Sequence, residues 1–119
     1  MTESQLQQNC VKWFKCQYRE LDTLFFAVPN GGYRHIATAT RMKKEGVKSG
    51  VADLILLVAR NGYHSLCIEM KFDKGVQTES QKKFQVAAES EGNLYVVCRN
   101  LDEFMNTIKN YLNEQRGDR

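Results

Sequence analysis

The sequence has few of the features that would mark an extended, disordered or membrane-spanning protein. It contains one proline among 119 residues, with a hydrophobic content of 42% and a charged content of 26%. These proportions exclude collagen-like and disordered chains and are typical of a globular domain. No stretch reaches the roughly 18 apolar residues of a membrane span, and the amino terminus lacks the basic and apolar regions of a signal peptide. We therefore expect a cytoplasmic protein without a membrane anchor.

Cysteine spacings typical of zinc ribbons and redox motifs are also missing. None of the four cysteines lies in a C-x-x-C pair, which excludes a zinc ribbon and a redox motif: Cys10, Cys16, Cys67 and Cys98. Buried, reduced thiols are the expected state. The length fits one domain, residues 1–119, and the polar tail 113–119 is expected to fray.

Positive charge is concentrated in one segment. The formal net charge is +3, yet residues 34–48, the basic segment, contain five basic residues and a single acid, Glu45. These five are Arg34, Arg41, Lys43, Lys44 and Lys48. Such a segment is either a solvated helix face or a surface for a phosphate-bearing partner.

The hydrophobic periodicity predicts an α/β fold in one small domain. Helices are expected at about 3–19, 35–45, 78–91 and 100–112, and strands at about 24–28, 54–58, 66–70 and 94–98. The order α-β-α-β-β-α-β-α indicates a mixed central sheet of about four strands with helices on both faces. The continuous apolar run 54–58 suggests a strand that is covered on both sides.

Two acids and a lysine stand at the ends of two neighbouring strands. Asp53 precedes one strand, and Glu69 and Lys71 alternate at the end of the next, so Glu69 and Lys71 share a side. Adjacent carboxylates repel unless a cation lies between them, and such oxygen ligands suit Mg²⁺ or Mn²⁺. The lysine would then position an attacking water or stabilise charge developing on a phosphate. The alternative is an ordinary surface salt bridge.

The turn between these strands constrains that interpretation. A regular two-residue turn at Asn61-Gly62 would place Asp53 opposite Met70, facing away from Glu69. A metal site therefore requires an odd-length connection or a β-bulge in one strand.

These residues occur in an order that resembles the VRR-NUC (virus-type replication-repair nuclease) family of the PD-(D/E)xK superfamily. The matching elements are Glu3-x-x-Leu6-Gln7, Asn30-Gly31-Gly32 with Arg34, the basic segment to Gly46, Gly50-Val51-Ala52-Asp53, Glu69-Met70-Lys71, and Gly75 followed by Gln81. Ala52 stands where the superfamily name implies proline. Because proline there would stiffen the backbone without acting as a ligand, the change is tolerable.

The resemblance implies a restriction-endonuclease-like fold and a role for each matching residue. Asp53, Glu69 and the main-chain carbonyl of Met70 would bind the metal, with Glu3 nearby, directly or through water. Lys71 would be the catalytic lysine.

Two glutamines have alternative roles. Gln81 matches a family glutamine near the site, but it is also the third residue after Thr78 and could simply cap a helix. Gln7 could act in the site or only pack within the first helix.

The resemblance also favours DNA as the partner of the basic segment. Its five basic residues would contact phosphates and set affinity without reading sequence. Tyr33 and His35 could stack on an exposed base.

The function implied is a Mg²⁺- or Mn²⁺-dependent DNA endonuclease acting on branched DNA. Small standalone members of the family look viral, in which case the location would be the host cytoplasm. Some act as homodimers on four-way junctions, so a junction-cleaving homodimer is expected. The alternatives are a non-catalytic DNA-binding module of the same fold and a restriction-type endonuclease that reads a short sequence.

Overall fold

The computed structural model describes residues 1–29 and 36–113, without the side chain of residue 113. Its elements, in chain order, are α1 (Glu3–Gln17), a 3₁₀-helix (Arg19–Leu24), β1 (Phe25–Ala27), α2 (Ile36–Lys44), β2 (Leu54–Leu56), β3 (Leu66–Met70), α3 (Glu79–Ser90), β4 (Leu94–Cys98) and α4 (Leu101–Asn113). The predicted order is confirmed, and the 3₁₀-helix is an element that the periodicity did not reveal. The expected tail beyond α4 lies outside the described residues.

Four strands form one mixed sheet in the order β1-β2-β3-β4. β1 pairs with β2 and β2 with β3 in antiparallel fashion, whereas β3 and β4 are parallel. A parallel pair needs a crossover connection, and α3 supplies it. The predicted α/β class with a four-stranded mixed sheet is confirmed.

Helices cover the two faces of the sheet unequally. On one face, α1 and α4 contribute Leu6, Phe14, Phe104 and Ile108 to a core shared with apolar side chains of all four strands. On the other face, α3 packs through Phe84 over a smaller cluster at β3 and β4. Because side chains alternate along a strand, the odd-numbered residues of β3 point toward α3.

Among residues 1–29 and 36–113, no helix fully covers β1 and β2 on the α3 side of the sheet, which corrects one prediction. β2 ends at Leu56, and the following Leu57 is 52% exposed. On the neighbouring edge strand, Phe26 is 41% exposed and pairs with Ile55. The apolar run 54–58 is thus covered on both faces only in part, because Ile55 packs against the cluster that includes Phe84 of α3 whereas Leu57 is exposed.

The cysteines are all free, and three of them, Cys10, Cys67 and Cys98, are buried. Cys16 is exposed near the end of α1, so the expectation of burial was wrong for that residue. Within the described ranges, no helix is long and apolar enough to cross a membrane.

Candidate active site

A β-bulge brings the two predicted carboxylates together. β2 and β3 pair Leu54 with Ile68, so the next position sets Asp53 opposite Glu69. At the tip of the same hairpin, an isolated bridge joins Arg60 to Tyr63. Three residues lie between Leu56, the end of β2, and Arg60, but only two lie between Tyr63 and Leu66, the start of β3. The segment between β2 and the turn therefore contains one extra residue, which is a β-bulge.

The tip itself is the two-residue turn that the sequence indicated. Asn61 and Gly62 have φ angles of 54° and 86°. Positive φ at both central positions is the geometry of a tight hairpin turn. The turn and the facing carboxylates coexist because the bulge shifts the register between them, as the sequence required.

Asp53 is fixed to the backbone of the opposite strand. Its Oδ2 accepts a hydrogen bond of 2.7 Å from the peptide nitrogen of Met70. The Met70 side chain is fully buried in the core on the other face. Met70 thus presents only its backbone to the site, which suits the expected use of its carbonyl.

Glu69 is almost fully buried, and both of its carboxylate oxygens have partners. It is 1% exposed. Oε2 accepts from Nε2 of Gln81 at 2.7 Å and lies 3.9 Å from Nζ of Lys71. Oε1 accepts from the hydroxyl of Tyr95 at 3.4 Å. A buried carboxylate held from several sides has a defined orientation.

The surroundings of Glu69 disfavour a second negative charge beside Asp53. Burial, the charge of Asp53 and a hydrogen bond to it raise the pKa of Glu69 from 4.5 to about 8, although Lys71 and Tyr95 act in the opposite direction. Without a cation, the pair therefore holds a proton at neutral pH.

Gln81 serves both of the roles that the sequence left open. Its Oε1 accepts from the peptide nitrogen of Thr78 at 2.8 Å, and its own peptide nitrogen donates to the Thr78 hydroxyl at 3.2 Å, which completes a capping box. Since a peptide N–H can only donate, the amide oxygen must face Thr78 and the amide nitrogen must face Glu69. Capping therefore orients the group that holds the carboxylate.

Tyr95 and Gln77 are neighbours of Glu69 that the sequence analysis missed. The Tyr95 hydroxyl accepts from Nε2 of Gln77 at 3.1 Å while it donates to Glu69. Burial raises the pKa of Tyr95, so the hydroxyl keeps its proton and remains a donor. Tyr95 reaches the site because β4 pairs it with Cys67, and only knowledge of the strand order would have revealed this.

Lys71 contacts the site through Glu69. It is 9% exposed, and within the described residues it is not part of the cleft wall. A Cβ added at Gly75 would lie 3.4 Å from Cδ of Lys71, so the lysine stem passes close to this glycine. The bend after β3 thus packs against the stem of the lysine.

The two carboxylates open into a cleft of about 1050 Å³. Its walls come from α1, the end of β1, the loop before β2 and the start of α3. Glu3 and Gln7 of α1 both line it, and Glu3 is exposed. No three acidic, histidine or cysteine side chains among the described residues are close enough to hold a metal together. Glu3 therefore faces the cleft without joining Asp53 and Glu69.

Gly50 allows α3 to begin beside the carboxylates. Its φ is +86°, and an added Cβ would lie 2.5 Å from the backbone oxygen of Ser80. Contacts this close are possible only for glycine. The loop before Asp53 and the start of α3 are thereby held together.

The described members of the basic segment do not line the cleft that holds the carboxylates. α2 has no buried residue, and Arg41 pairs with Glu45 at 3.0 Å. Lys43 and Lys44 are exposed on it. Lys48 lines a smaller neighbouring hollow that shares Val28 and Pro29 with the cleft. Arg34, Tyr33, His35 and Asn30-Gly31-Gly32 lie outside the described residues.

Two cleft lysines were not anticipated. Lys12 and Lys15 of α1 line the same cleft as Asp53 and Glu69. They lie outside the basic segment, and as exposed helix lysines they carried no distinguishing signal in the sequence. Their position follows from how α1 packs against the sheet.

Two comparisons with known proteins both point to the VRR-NUC domain. The family model of the VRR-NUC domain matches residues 1–100. A solved structure described as a VRR_NUC domain protein is similar at 31% identity, with a TM-score of 0.81 over 94% of this chain and 88% of that chain. No curated protein matches.

Proposed function

The chain belongs to the VRR-NUC domain family and is a nuclease-type domain, and on this basis we propose that it is a Mg²⁺- or Mn²⁺-dependent endonuclease that hydrolyses phosphodiester bonds in branched DNA. The observation that carries the proposal is the buried Glu69 facing Asp53 at a cleft. We also propose that residues 1–119 form one domain and that it acts in the cytoplasm, within the host cell if it is viral.

The donor chemistry of the site fits a hard divalent cation. Asp53, Glu69 and the main-chain carbonyl of Met70 would hold it, with Glu3 approaching from the cleft wall. Burial and the charge of Asp53 raise the pKa of Glu69 to about 8, and a bound cation would offset the repulsion between the two carboxylates. When bound, such an ion activates a water and offsets charge at phosphorus.

The protein side chains then orient the reaction. Lys71 would place its ammonium near the attacking water or the phosphate oxygens, where negative charge increases in the transition state. Gln81 and Tyr95 donate to the two oxygens of Glu69 and would keep that carboxylate in one orientation during turnover. They are positioning residues in this scheme.

Binding of DNA would involve the five residues of the basic segment. Arg34, Arg41, Lys43, Lys44 and Lys48 are proposed to contact phosphates. Lys48 supports this because its hollow adjoins the cleft. The pairing of Arg41 with Glu45 makes Arg41 the weaker candidate.

For a four-way junction, we propose a homodimer in which two sites cut symmetric strands. The open sheet face at Phe26 and Leu57 is the proposed contact, since both side chains are apolar and substantially exposed. Sedimentation equilibrium should give a dimer that the double change Phe26→Ser and Leu57→Ser disrupts. The control Val86→Ser alters an equally apolar residue that is 68% exposed on α3. A monomeric parent protein would contradict the dimer.

A cleavage assay tests the proposed function. Purified protein is incubated with linear duplex, flap, splayed-arm and four-way-junction DNA in Mg²⁺, Mn²⁺ or EDTA. We expect cutting in either metal, none in EDTA, and a preference for branched substrates. Binding without cutting in every metal would favour a non-catalytic module. Cutting of linear duplex at one short sequence would favour a restriction-type enzyme.

A further inference from the structure

We infer that Lys12 and Lys15, the α1 lysine pair, form a second phosphate-binding position in the cleft, several nucleotides away from the bond that is cut. The inference rests on the proposed function in taking DNA as the ligand. Both lysines lie outside the basic segment. They would contact the phosphate backbone of the DNA strand that enters the active site.

The α1 lysine pair and the carboxylates belong to one continuous cleft. Lys12 and Lys15 line it together with Asp53 and Glu69. By contrast, Lys43 and Lys44 of α2 are not among its described lining residues. A strand whose phosphate lies at the carboxylates can therefore reach the α1 lysine pair without leaving the cleft.

The two ammonium groups have no acidic partners among the described residues. The ion pairs found there join Arg41 to Glu45, Lys71 to Glu69 and Lys82 to Glu79. Lys12 and Lys15 are exposed and form no ion pair within residues 1–29 and 36–113. A cation that is solvated and unpaired can bind a phosphate without first breaking a salt bridge.

Charge is distributed along α1 in one direction. Glu3 stands in the first turn of the helix and Lys12 and Lys15 stand in its second half, and all three line the cleft. An α-helix rises about 1.5 Å per residue, so Lys12 and Lys15 lie roughly 13 and 18 Å along the axis from Glu3. Because B-form DNA rises about 3.4 Å along its axis per base pair, that distance corresponds to roughly four to five base pairs of a duplex arm.

Hydrogen-bonding groups fill the interval between the two ends. Ser4 and Gln8 line the cleft at four-residue spacing before Lys12, and Nε2 of Gln8 donates to the Ser4 hydroxyl at 3.2 Å. Apart from Val11, the α1 residues that line the cleft are polar or charged, whereas Leu6, Cys10 and Phe14 face the core. Neutral donors next to cations are the usual companions of a bound phosphate backbone.

A purely structural role for these lysines makes a different prediction. Lys15 lies in the last turn of α1, where a cation stabilises the helix dipole. If that were its whole function, replacing it would lower stability and leave DNA affinity unchanged. Binding and stability must therefore be measured on the same variants.

The test compares two double variants of equal charge. Lys12→Gln with Lys15→Gln changes the cleft, and Lys83→Gln with Lys109→Gln changes exposed lysines of α3 and α4 outside it. Binding of a labelled four-way junction is measured in EDTA, so that cutting does not interfere, at several salt concentrations. Thermal unfolding of each variant is recorded in parallel.

We expect the cleft variant to bind on the order of tenfold more weakly than the control variant, with a salt dependence shallower by about 1.8 in slope for two lost phosphate contacts. In Mg²⁺ its KM should rise while kcat stays within about twofold of the parent, because these contacts are remote from the reacting bond. The junction arms are also shortened one base pair at a time. The affinity of the parent should fall at the length at which the arm no longer reaches the α1 lysine pair, and the affinity of the cleft variant should not change at that length.

Equal affinity and equal salt slope for the two double variants would overturn the inference. A cleft variant that loses stability but not affinity would show a structural role and would also overturn it. If the parent protein binds and cuts DNA while the variants behave alike, only this inference fails. If the parent neither binds nor cuts, the proposed function fails with it.

Discussion

Glu69 is buried next to another acid, so its protonation should affect stability. Its pKa in the folded, metal-free protein is raised from 4.5 to about 8, which means that the folded state binds more protons than the unfolded state between these values. The stabilising effect of this proton is fully present below about pH 4.5 and is lost as the pH rises through about 8.

We therefore expect the free energy of unfolding of the metal-free parent protein to decrease as the pH rises from 5 to 8. The decrease should be larger than that of the Glu69→Gln variant over the same range. The glutamine keeps the shape of the side chain but cannot ionise. Urea denaturation of both proteins across this range in EDTA measures the difference. Parallel pH curves would contradict the proposed environment of Glu69. Added Mg²⁺ should stabilise the parent more at pH 8 than at pH 5, because the cation favours the ionised pair.

Lys71 is expected to act in chemistry and not in binding. Lys71→Ala should lower the cleavage rate by at least about 10²-fold, the usual cost of removing a group that stabilises transition-state charge. Junction affinity in EDTA should change little. Lys74→Ala is the matched control, since Lys74 is exposed in the turn after β3. An unchanged rate for Lys71→Ala would remove Lys71 from the mechanism.

The two roles of Gln81 can be separated with Thr78. Thr78→Ala removes the hydroxyl that accepts from the peptide nitrogen of Gln81. Gln81→Ala removes both the amide oxygen that accepts from the peptide nitrogen of Thr78 and the amide nitrogen that donates to Glu69. Both changes should lower stability by about 1 kcal/mol. Only Gln81→Ala should also reduce the cleavage rate, by roughly tenfold. If both variants cut equally well, Gln81 is a helix cap alone.

Individual side chains differed in how well the sequence predicted them. Asp53, Glu69 and Lys71 come from adjacent strands, so spacing and alternation sufficed to place them near one another. Tyr95, Lys12 and Lys15 approach the site from β4 and α1. Their positions depend on strand order and helix packing, which local spacing does not determine.

The contact between the loop before β2 and the start of α3 depends on Gly50. Gly50→Ala would add a methyl group 2.5 Å from the backbone oxygen of Ser80, and it would also strain the backbone. Gly46→Ala shares only the strain, because no atom lies within 4 Å of the added carbon at φ +105°. We expect costs of about 3 kcal/mol for Gly50→Ala and about 1 kcal/mol for Gly46→Ala. Equal unfolding midpoints in urea would show that the close approach does not matter.

The elements themselves were largely predictable. β3 and β4 have the predicted bounds, and the capping box at Thr78 marks the start of α3. The bulge could be inferred only by requiring Asp53 to face Glu69, since the turn sequence favours a regular hairpin. β2 is shorter than its apolar run suggests because that run continues into the bulged arm.

The cleft is a property of the assembled domain. α1 packs on one face of the sheet, α3 begins on the other, and both reach the end where Asp53 and Glu69 meet. The sequence predicted the sheet, its flanking helices and the cluster of Asp53, Glu69 and Lys71, and the family resemblance added Glu3, Met70 and Gln81. The depth and lining of the cleft depend on packing geometry, so they could not be predicted from the order of elements.

The central claim is that Asp53 and Glu69 together bind the divalent ion that cleavage requires. Isothermal titration with Mn²⁺ of the parent, Asp53→Asn and Glu69→Gln tests it most directly, with Asp102→Asn, an exposed acid of α4, as the matched control. We predict saturable binding to the parent and to Asp102→Asn, and at least about tenfold weaker binding to each of the other two. Equal Mn²⁺ affinity in all four proteins would contradict the account.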